Sequence, residues 1–347
     1  MSQFIPIILA SGLVSFIVTP ILRNVAQRFN FVDNPQGRKV HTAPMPMLGG
    51  VAIYLGLSVA MIVGGNNSFT ELLGILGGAT VMTLFGLWDD RVTLGPLPKL
   101  LGQILASTIL IAAGVHIRLF ALPALNIAIT MIWVVGISNA LNFQDNMDGL
   151  AAGLATVSSG FFFILAVVEG LGLVATLAAA TLGACVGFLY YNFNPASLFM
   201  GDAGSQLLGF VLAVLGIKLQ FVGRPLGVTW MIPIIVLGVP IFDTTLVVIS
   251  RLRRRRHVYE GGKDHTSHRF VSVFGMTHAR SVMSLYLVAS ALGLVALMLR
   301  EVTLLQARLI LIGLAAAFVS GLIWLEAKFQ RATVTAPPDT SSSQPMA

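Results

Sequence analysis

Four short polar stretches carry most of the side chains that could do chemistry, and long apolar runs separate them. Adjacent carboxylates occur in "WDDRVTLGPLPK", a second pair is spaced i, i+3 in "NALNFQDNMDGL", a further carboxylate lies between glycines in "FMGDAGSQ", and two histidines are spaced i, i+3 in "GGKDHTSHRF". These residues are Asp89, Asp90, Asp145, Asp148, Asp202, His265 and His268. Carboxylate oxygens are the ligands that Mg²⁺ prefers, and nearby cations favour phosphate groups. The set therefore predicts phosphoryl transfer.

Each stretch also has a structural interpretation. Adjacent carboxylates are typical of a solvated helix end, and Asp202 or Ser205 is a good N-cap for the helix that follows. Histidines spaced i, i+3 occur in zinc sites, but no third histidine or cysteine lies close by. The neighbouring cations Lys263 and Arg269 favour an anion instead, and a diphosphate suits them.

The composition places these stretches in a membrane protein. Hydrophobic residues make up 56% of the chain and charged residues 10%, and the mean hydropathy is +0.87. Apolar runs of about 17 to 25 residues recur, which suits spanning helices and not the short strands of a barrel. We therefore predict an all-α polytopic bundle of 10 or 11 transmembrane helices in one domain, 1–331, with a disordered tail, 332–347. The apolar segments are 4–22, 47–64, 72–88, 100–115, 126–141, 149–168, 172–191, 205–222, 228–250, 281–299 and 307–325.

The basic residues are distributed unevenly over the predicted loops. Of the 21 lysines and arginines, 16 fall on one side and five on the other. The positive-inside rule makes the richer side cytoplasmic, so the N-terminus is predicted outside and the C-terminus inside. The net charge of +7 then reflects topology, and no nucleic-acid partner is predicted. The run "RLRRRRH", 251–257, is predicted to anchor anionic lipid headgroups.

The acidic residues show the same asymmetry. Only Glu71, Glu169 and Glu301 fall in the predicted outer loops, whereas all the candidate carboxylates and histidines fall on the inner side. Solvation does not require this asymmetry, because outer loops also need polar residues. The pattern predicts an active site at the cytoplasmic surface of the membrane.

Five motifs in order resemble one protein family: "RKVHTAPMPMLGG", "WDDR", "NALNFQDNMDGLAAG", "FMGDAGS" and "GGKDHTSHRF". They are similar to those of the polyprenyl-phosphate N-acetylhexosamine-1-phosphate transferases (glycosyltransferase family 4), and the likeness covers nearly the whole chain. The resemblance implies a multi-pass enzyme of the bacterial inner membrane that uses Mg²⁺ or Mn²⁺. It would transfer N-acetylhexosamine-1-phosphate from a UDP-N-acetylhexosamine to undecaprenyl or another polyprenyl phosphate, within the lipid membrane, and release UMP. The resemblance also admits a homodimer.

The resemblance also implies roles for individual residues. Asp89 and Asp90 would lie beside the lipid phosphate, Asp202 would bind the metal with help from Asn142, and the Phe199 ring would stack on uracil. The residues implied to be catalytic are Asp89, Asp90, Asp202, His265 and His268. Those implied to bind substrate are Lys99, Asn142, Asp145, Asp148, Phe199, Lys263 and Arg269.

Two departures from the family pattern stand out. Asn146 occupies a position that is glycine in many members, and Thr266 with Ser267 separates histidines that are adjacent in many relatives. The first two motifs, with no long insertion between them, look closer to the branch that uses UDP-GlcNAc. One alternative is the phospho-MurNAc-pentapeptide translocase of peptidoglycan synthesis. A more remote alternative is a secondary transporter, for which Asp243 in "PIFDTTL" is the candidate ionisable residue near the midplane.

Overall fold

The protein is built almost entirely from α-helices. Its computed structural model describes residues 2–33, 44–64, 68–221, 223–224 and 226–335. One small antiparallel pairing joins β1 (Val32–Asp33) to β2 (Met45–Pro46). The helices are α1 (Ile5–Arg28), α2 (Gly49–Val63), α3 (Phe69–Val92), α4 (Pro96–Ala112), α5 (Pro123–Gln144), α6 (Leu150–Val168), α7 (Gly172–Asn192), α8 (Gly201–Lys218), α9 (Leu226–Thr229), α10 (Ile232–Val236), α11 (Gly238–Arg253), α12 (Thr266–Phe274), α13 (His278–Leu299) and α14 (Leu304–Thr335).

Among the described residues, seven helices are long and apolar enough to cross a membrane. They are α1, α3, α5, α6, α7, α13 and α14. The bent segment from α9 to α11 adds an eighth, while α2 and α4 are shorter apolar helices and α8 has 18 residues. Together they account for all eleven predicted apolar segments. The prediction of an all-α polytopic membrane bundle is confirmed.

Three details differ from the sequence prediction. The segment 228–250 is not one straight helix, because the chain bends by 71° between Val236 and Gly238. Pro240 has no N–H to donate to the carbonyl of Val236, so one helical hydrogen bond is missing at the bend. At the C-terminus, α14 continues to Thr335, past the predicted domain boundary. The rest of the predicted tail, and residues 38–43 of the first motif, lie outside the described residues.

The centre of the bundle is formed by α7 and α8. Most of α7 is buried, whereas only 11% of the apolar window of α14 is buried. Glycines allow α8 to approach its neighbours at backbone distance: a Cβ on Gly50 would lie 2.2 Å from the nitrogen of Gly204. Similarly, a Cβ on Gly86 would lie 2.3 Å from the Cα of Ala203. These contacts fix the start of α8 against α2 and α3.

Helix direction brings the polar helix ends together. The C-terminal ends of α3 and α5 lie at the same end of the bundle as the N-terminal ends of α4 and α8. The short helix α12 packs beside α13 and α14 at this end. The candidate residues therefore converge although more than 170 residues separate the first from the last.

The predicted orientation can be tested with single cysteines. Gln306, in the first turn of α14, and Gly261, before α12, are both exposed. We expect Gln306→Cys to react with an impermeant thiol reagent added to intact cells and Gly261→Cys to react only after lysis. The native Cys185 is buried, so the parent protein should not react with the reagent. The opposite labelling pattern would place the candidate site outside the cell.

Candidate functional site

A lysine bridges two carboxylates where three helices meet. The Lys99 Nζ at the start of α4 lies 2.7 Å from Asp202 Oδ2 at the start of α8. It also forms an ion pair with Asp89 near the end of α3. The other oxygen of Asp89 accepts a hydrogen bond of 2.5 Å from the backbone N–H of Leu94. Only 7% of the Asp89 side chain is exposed, so this carboxylate is held on both sides in a largely buried position.

Asp90 anchors the first turn of α8. Its two carboxylate oxygens accept hydrogen bonds from the backbone N–H groups of Asp202 (2.7 Å) and Ala203 (3.2 Å). Gly201 has a φ of +68°, and a Cβ there would lie 2.4 Å from Asp90 Oδ2, so this position favours glycine. The alternative that Asp202 or Ser205 is the N-cap of α8 is wrong. Both residues lie inside the helix, which begins at Gly201.

Asn142, in the last turn of α5, orients Asp202. Its Nδ2 donates to Asp202 Oδ1 at 3.0 Å and to Ser205 Oγ at 2.9 Å. Lys99 holds the other oxygen of Asp202, so both carboxylate oxygens have fixed positions. The nitrogen of the Asn142 amide, rather than its oxygen, faces Asp202.

Three amide side chains that the sequence analysis did not assign lie on the same helices, further from the helix ends. Gln103 donates to the amide oxygen of Asn139 at 3.2 Å and Asn139 donates to that of Gln103 at 3.0 Å. Gln103 also donates to Gln206 at 3.3 Å. These residues tie α4, α5 and α8 together. The signal in the sequence was an amide placed one helical turn before or after each predicted site residue: Gln103 after Lys99, Asn139 before Asn142 and Gln206 after Asp202.

Asp145 and Asp148 occupy different environments. Helix α5 ends at Gln144, so the two residues lie in a turn and do not share a helical face. Asp148 accepts hydrogen bonds from Asn194 Nδ2 (3.1 Å) and from the backbone N–H of Ala196 (3.0 Å). The carboxylate of Asp145 has no hydrogen bond or ion pair to any described residue. Burial, together with the charges of Asp202, Asp148 and Asp33, raises the pKa of Asp145 to about 8.

The donors around Asp202 fit a hard divalent cation. No three His, Cys, Asp or Glu side chains in the described part of the chain form a ready-made metal cage. Asp202 and the unpartnered Asp145 nevertheless supply carboxylate oxygens, and they interact electrostatically. A cation such as Mg²⁺ commonly binds through one or two carboxylates and completes its shell with water and substrate phosphates.

The carboxylate of Asp243, in α11, orients His265. Its Oδ2 lies 2.8 Å from His265 Nδ1, and its Oδ1 accepts a hydrogen bond of 2.5 Å from the backbone N–H of Thr266. The pairing leaves the Nε2 atom of His265 for another partner. Asp243 is therefore part of the histidine cluster and not an isolated midplane carboxylate, which removes the residue on which the transporter alternative depended.

His268 is neutral at physiological pH. Burial, together with the charges of His265, Lys263 and His278, lowers its pKa to about 4. Its ring centroid lies 6.3 Å from that of His265. His268 therefore offers a hydrogen bond rather than a positive charge at this end of the bundle.

The two departures from the family pattern contact each other. Ser267 Oγ donates to Asn146 Oδ1 at 2.6 Å, and Asn146 Nδ2 donates to the carbonyl of Phe143. The bond connects the turn after α5 to the first turn of α12. Two substitutions far apart in sequence thus form one link between the carboxylate and histidine stretches.

Arg269 pairs with a carboxylate of α14, so the structure gives no support to its predicted role in substrate binding. Its guanidinium is fully buried, with Nη1 2.9 Å from Glu326 Oε2 of α14 and Nε 2.8 Å from the carbonyl of Asp264. Arg251 is buried as well and pairs with Asp264 through two hydrogen bonds of 2.9 and 3.0 Å. Arg251 is therefore not available to lipid headgroups, and for the exposed arginines of "RLRRRRH" the anchoring role stays a prediction. In both cases, tertiary packing brings the guanidinium next to the carboxylate with which it pairs.

Phe199 and Lys263 lie at the edges of the site. The backbone of Phe199 is fixed, because its N–H donates to the carbonyl of Pro46 and its carbonyl accepts from the N–H of Gly49. Its ring is half-buried. Lys263 is exposed in the segment before α12. Both positions leave the side chain accessible to a ligand.

Comparison with known proteins places this arrangement in a family. The model of glycosyl transferase family 4 matches residues 72–220, which include every candidate residue from Asp89 to Asp202. A probable undecaprenyl-phosphate N-acetylglucosaminyl 1-phosphate transferase of Bacillus subtilis is 34% identical over 316 residues, covering 88% of this chain and 87% of the relative. The chain belongs to glycosyl transferase family 4. The resemblance inferred from the motifs is confirmed.

Other members of glycosyl transferase family 4 are similar over most of their length. A decaprenyl-phosphate N-acetylglucosaminephosphotransferase of Mycobacterium tuberculosis is 31% identical over 321 residues, covering 80% of this chain and 78% of the relative. A phospho-N-acetylmuramoyl-pentapeptide-transferase of Bacillus subtilis is 31% identical over 290 residues, covering 73% of this chain and 88% of the relative.

Proposed function

We propose that this protein transfers N-acetylglucosamine-1-phosphate from UDP-GlcNAc to undecaprenyl or another polyprenyl phosphate. The products are a lipid-linked diphosphate sugar and UMP, and the reaction starts a cell-envelope polysaccharide. The observation that carries the proposal is the junction of Asp89, Lys99 and Asp202 at the ends of three helices. The two relatives named for N-acetylglucosamine transfer match more of this chain than the pentapeptide transferase does, which favours the simple-sugar donor.

The reaction exchanges one phosphoanhydride bond for another. An oxygen of the acceptor phosphate attacks the sugar-bearing phosphorus of the donor, and the bond from that phosphorus to UMP breaks. An alternative route has Asp89 attack first and the acceptor second, with the same products. Leu94 and Lys99 hold the Asp89 carboxylate in a fixed position, which is compatible with either route. Lys99 is well placed to balance negative charge on the phosphates.

Residues around the junction position the substrates. Asp90 fixes the start of α8, and Asn142 holds Asp202, so both act on the geometry of the reacting groups. His265 presents Nε2 to the diphosphate and His268 adds a neutral hydrogen-bonding group. Lys263 supplies a positive charge at the rim, and Phe199 offers a ring for uracil. Asp145 and Asp148 would lie beside the nucleoside and the sugar of the donor.

Asp202, oriented by Asn142 and near Asp145, would hold a Mg²⁺ or Mn²⁺ ion, which neutralises phosphate charge when bound. We expect turnover to stop after treatment with EDTA and to return with Mg²⁺ or Mn²⁺, because hard oxygen donors favour these ions. UMP release measures the effect. Full activity in the chelated protein would contradict the proposed requirement.

The donor can be identified by competition between two UDP-sugars. We expect UMP release from UDP-GlcNAc with undecaprenyl phosphate and little from UDP-MurNAc-pentapeptide at the same concentration. The discrimination would come from groups that the wrong sugar crowds or leaves unpaired. A preference for the pentapeptide donor would contradict the assignment to the branch that uses UDP-GlcNAc, but it would agree with the proposed type of reaction. No UMP from any UDP-sugar would contradict the proposed reaction.

We further propose that the enzyme resides in the bacterial inner membrane with this site facing the cytoplasm, where UDP-sugars are found. The uneven distribution of basic residues supports that orientation. The protein would act among membrane lipids, as a monomer or a homodimer. The secondary-transporter alternative has lost its support, because Asp243 is committed to His265 and Thr266.

A further inference from the structure

A second polar cavity lies at the opposite end of the bundle. It is lined by Glu71 near the start of α3, His116 and Arg118 in the loop between α4 and α5, and Lys218 and Gln220 at the end of α8. Asp202 and Lys218 stand at opposite ends of α8, about 24 Å apart at a rise of about 1.5 Å per residue. This cavity is therefore separate from the junction around Asp202, and the charge distribution predicts that it is on the outer side.

The loop that carries His116 and Arg118 is held in place by hydrogen bonds. The N–H of Ile117 donates to Thr130 Oγ1 at 2.9 Å. Asn126 Oδ1 accepts from the N–H groups of Leu119 (3.0 Å) and Phe120 (2.9 Å), and its amide nitrogen donates back to the carbonyl of Phe120. Bonds on both sides of Arg118 fix the backbone from which its side chain extends. These hydrogen bonds hold this part of the cavity wall in a defined conformation.

Hydrogen-bond donors exceed acceptors in this cavity. The Lys218 ammonium donates to both oxygens of Glu71, at 2.9 and 3.0 Å, and so neutralises that carboxylate. An ammonium has three N–H donors, so one remains. Arg118 has no ion-pair partner among the described residues. The Nδ1 atom of His116 is buried without a hydrogen-bond partner, which is costly unless a ligand supplies one.

The other outer arginines near carboxylates are already paired. Arg300 pairs with Glu169 and Glu301, and Arg224 also reaches Glu301 at 3.4 Å. Arg118 therefore leaves the cavity with one uncompensated positive charge. The same loop exposes the apolar side chains of Phe120 and Leu122, which is typical of a surface at the lipid boundary.

We infer that this cavity binds a phosphate group of single negative charge at the outer membrane surface. The cavity, of about 210 Å³, has room for a headgroup phosphate with its glycerol. Arg118, the third N–H of Lys218, His116 Nδ1 and the amide of Gln220 are the donors. The exposed apolar side chains beside the cavity favour the phosphodiester of an anionic lipid over free phosphate as the source.

The experiment measures the melting temperature of the purified protein with three additions: phosphatidylglycerol, phosphatidylcholine and inorganic phosphate. We expect phosphatidylglycerol to raise the melting temperature and phosphatidylcholine not to, because the choline cation cancels the negative charge of its own phosphate and would meet the positive charge of Arg118. Arg118→Gln should weaken the apparent affinity for phosphatidylglycerol about tenfold or more, because a charge-assisted hydrogen bond is lost. His116→Leu should weaken the same response.

Arg308→Gln is the matched control, because Arg308 is exposed in an outer position and has no ion-pair partner among the described residues. It should respond to phosphatidylglycerol like the parent protein. UMP release should be unchanged in Arg118→Gln, which separates this site from the proposed reaction. Stabilisation by inorganic phosphate alone, lost in Arg118→Gln, would support the site and assign it to a soluble anion. Equal responses in the parent, Arg118→Gln and His116→Leu, or no response to any addition, would overturn the inference.

Discussion

Replacing Asp202 by asparagine should lower kcat by a factor on the order of 10² or more, as expected when a group that stabilises transferring phosphates is removed. We expect the variant to remain folded, because Lys99 keeps its ion pair with Asp89 and the asparagine side chain can still accept a hydrogen bond from Asn142. UMP release and thermal unfolding of the same preparation measure the two effects.

Glu260→Gln is the control for that variant. Glu260 is an exposed carboxylate on the predicted cytoplasmic side, and the substitution changes the charge by the same amount. It should leave kcat within about twofold of the parent value, since exposed substitutions away from a site have small effects. If Asp202→Asn turned over like the parent protein, Asp202 would have no place in the mechanism.

Glu326→Gln should destabilise the protein by about 3–5 kcal/mol, the usual cost of leaving a buried charge without its partner. Glu326 of α14 is 4% exposed and faces the fully buried Arg269, and Arg254 lies 3.8 Å away on the same side. The Phe329 ring, also on α14, packs 4.4 Å from the Arg269 guanidinium. This contact holds α12 in position, so we also expect kcat to fall, because His265 and His268 lie at the start of α12.

Glu301→Gln provides the matched comparison. Glu301 also pairs with arginines but is 62% exposed, and exposed ion pairs contribute less than about 1 kcal/mol. Combining Arg269→Met with Glu326→Leu should recover much of the stability lost in Glu326→Gln, because no unpaired charge remains. A Glu326→Gln protein as stable as Glu301→Gln would show that the Arg269 pair does not hold α14 to α12.

Local sequence signals sufficed for the fold class and for most of the carboxylate site. Apolar runs of membrane-spanning length identify helices because a backbone in lipid must satisfy its own hydrogen bonds. Polar motifs at the ends of those runs must then lie at one end of the bundle when the helices alternate in direction. Asp89, Lys99, Asn142 and Asp202 meet for this reason.

The partners of buried side chains were decided only by tertiary packing. The sequence shows "DHTSHR" and "RLRRRR" as similar polar stretches, yet His265 faces Asp243, Arg269 faces Glu326 and Arg251 faces Asp264. Contacts of this kind depend on the crossing of helices that are distant in sequence and on the 71° bend before α11. The sequence by itself determined which residues carry charge and at which end of the bundle they lie. The packing decided which charges face each other, because a buried ion is stable only where a partner from another helix reaches it.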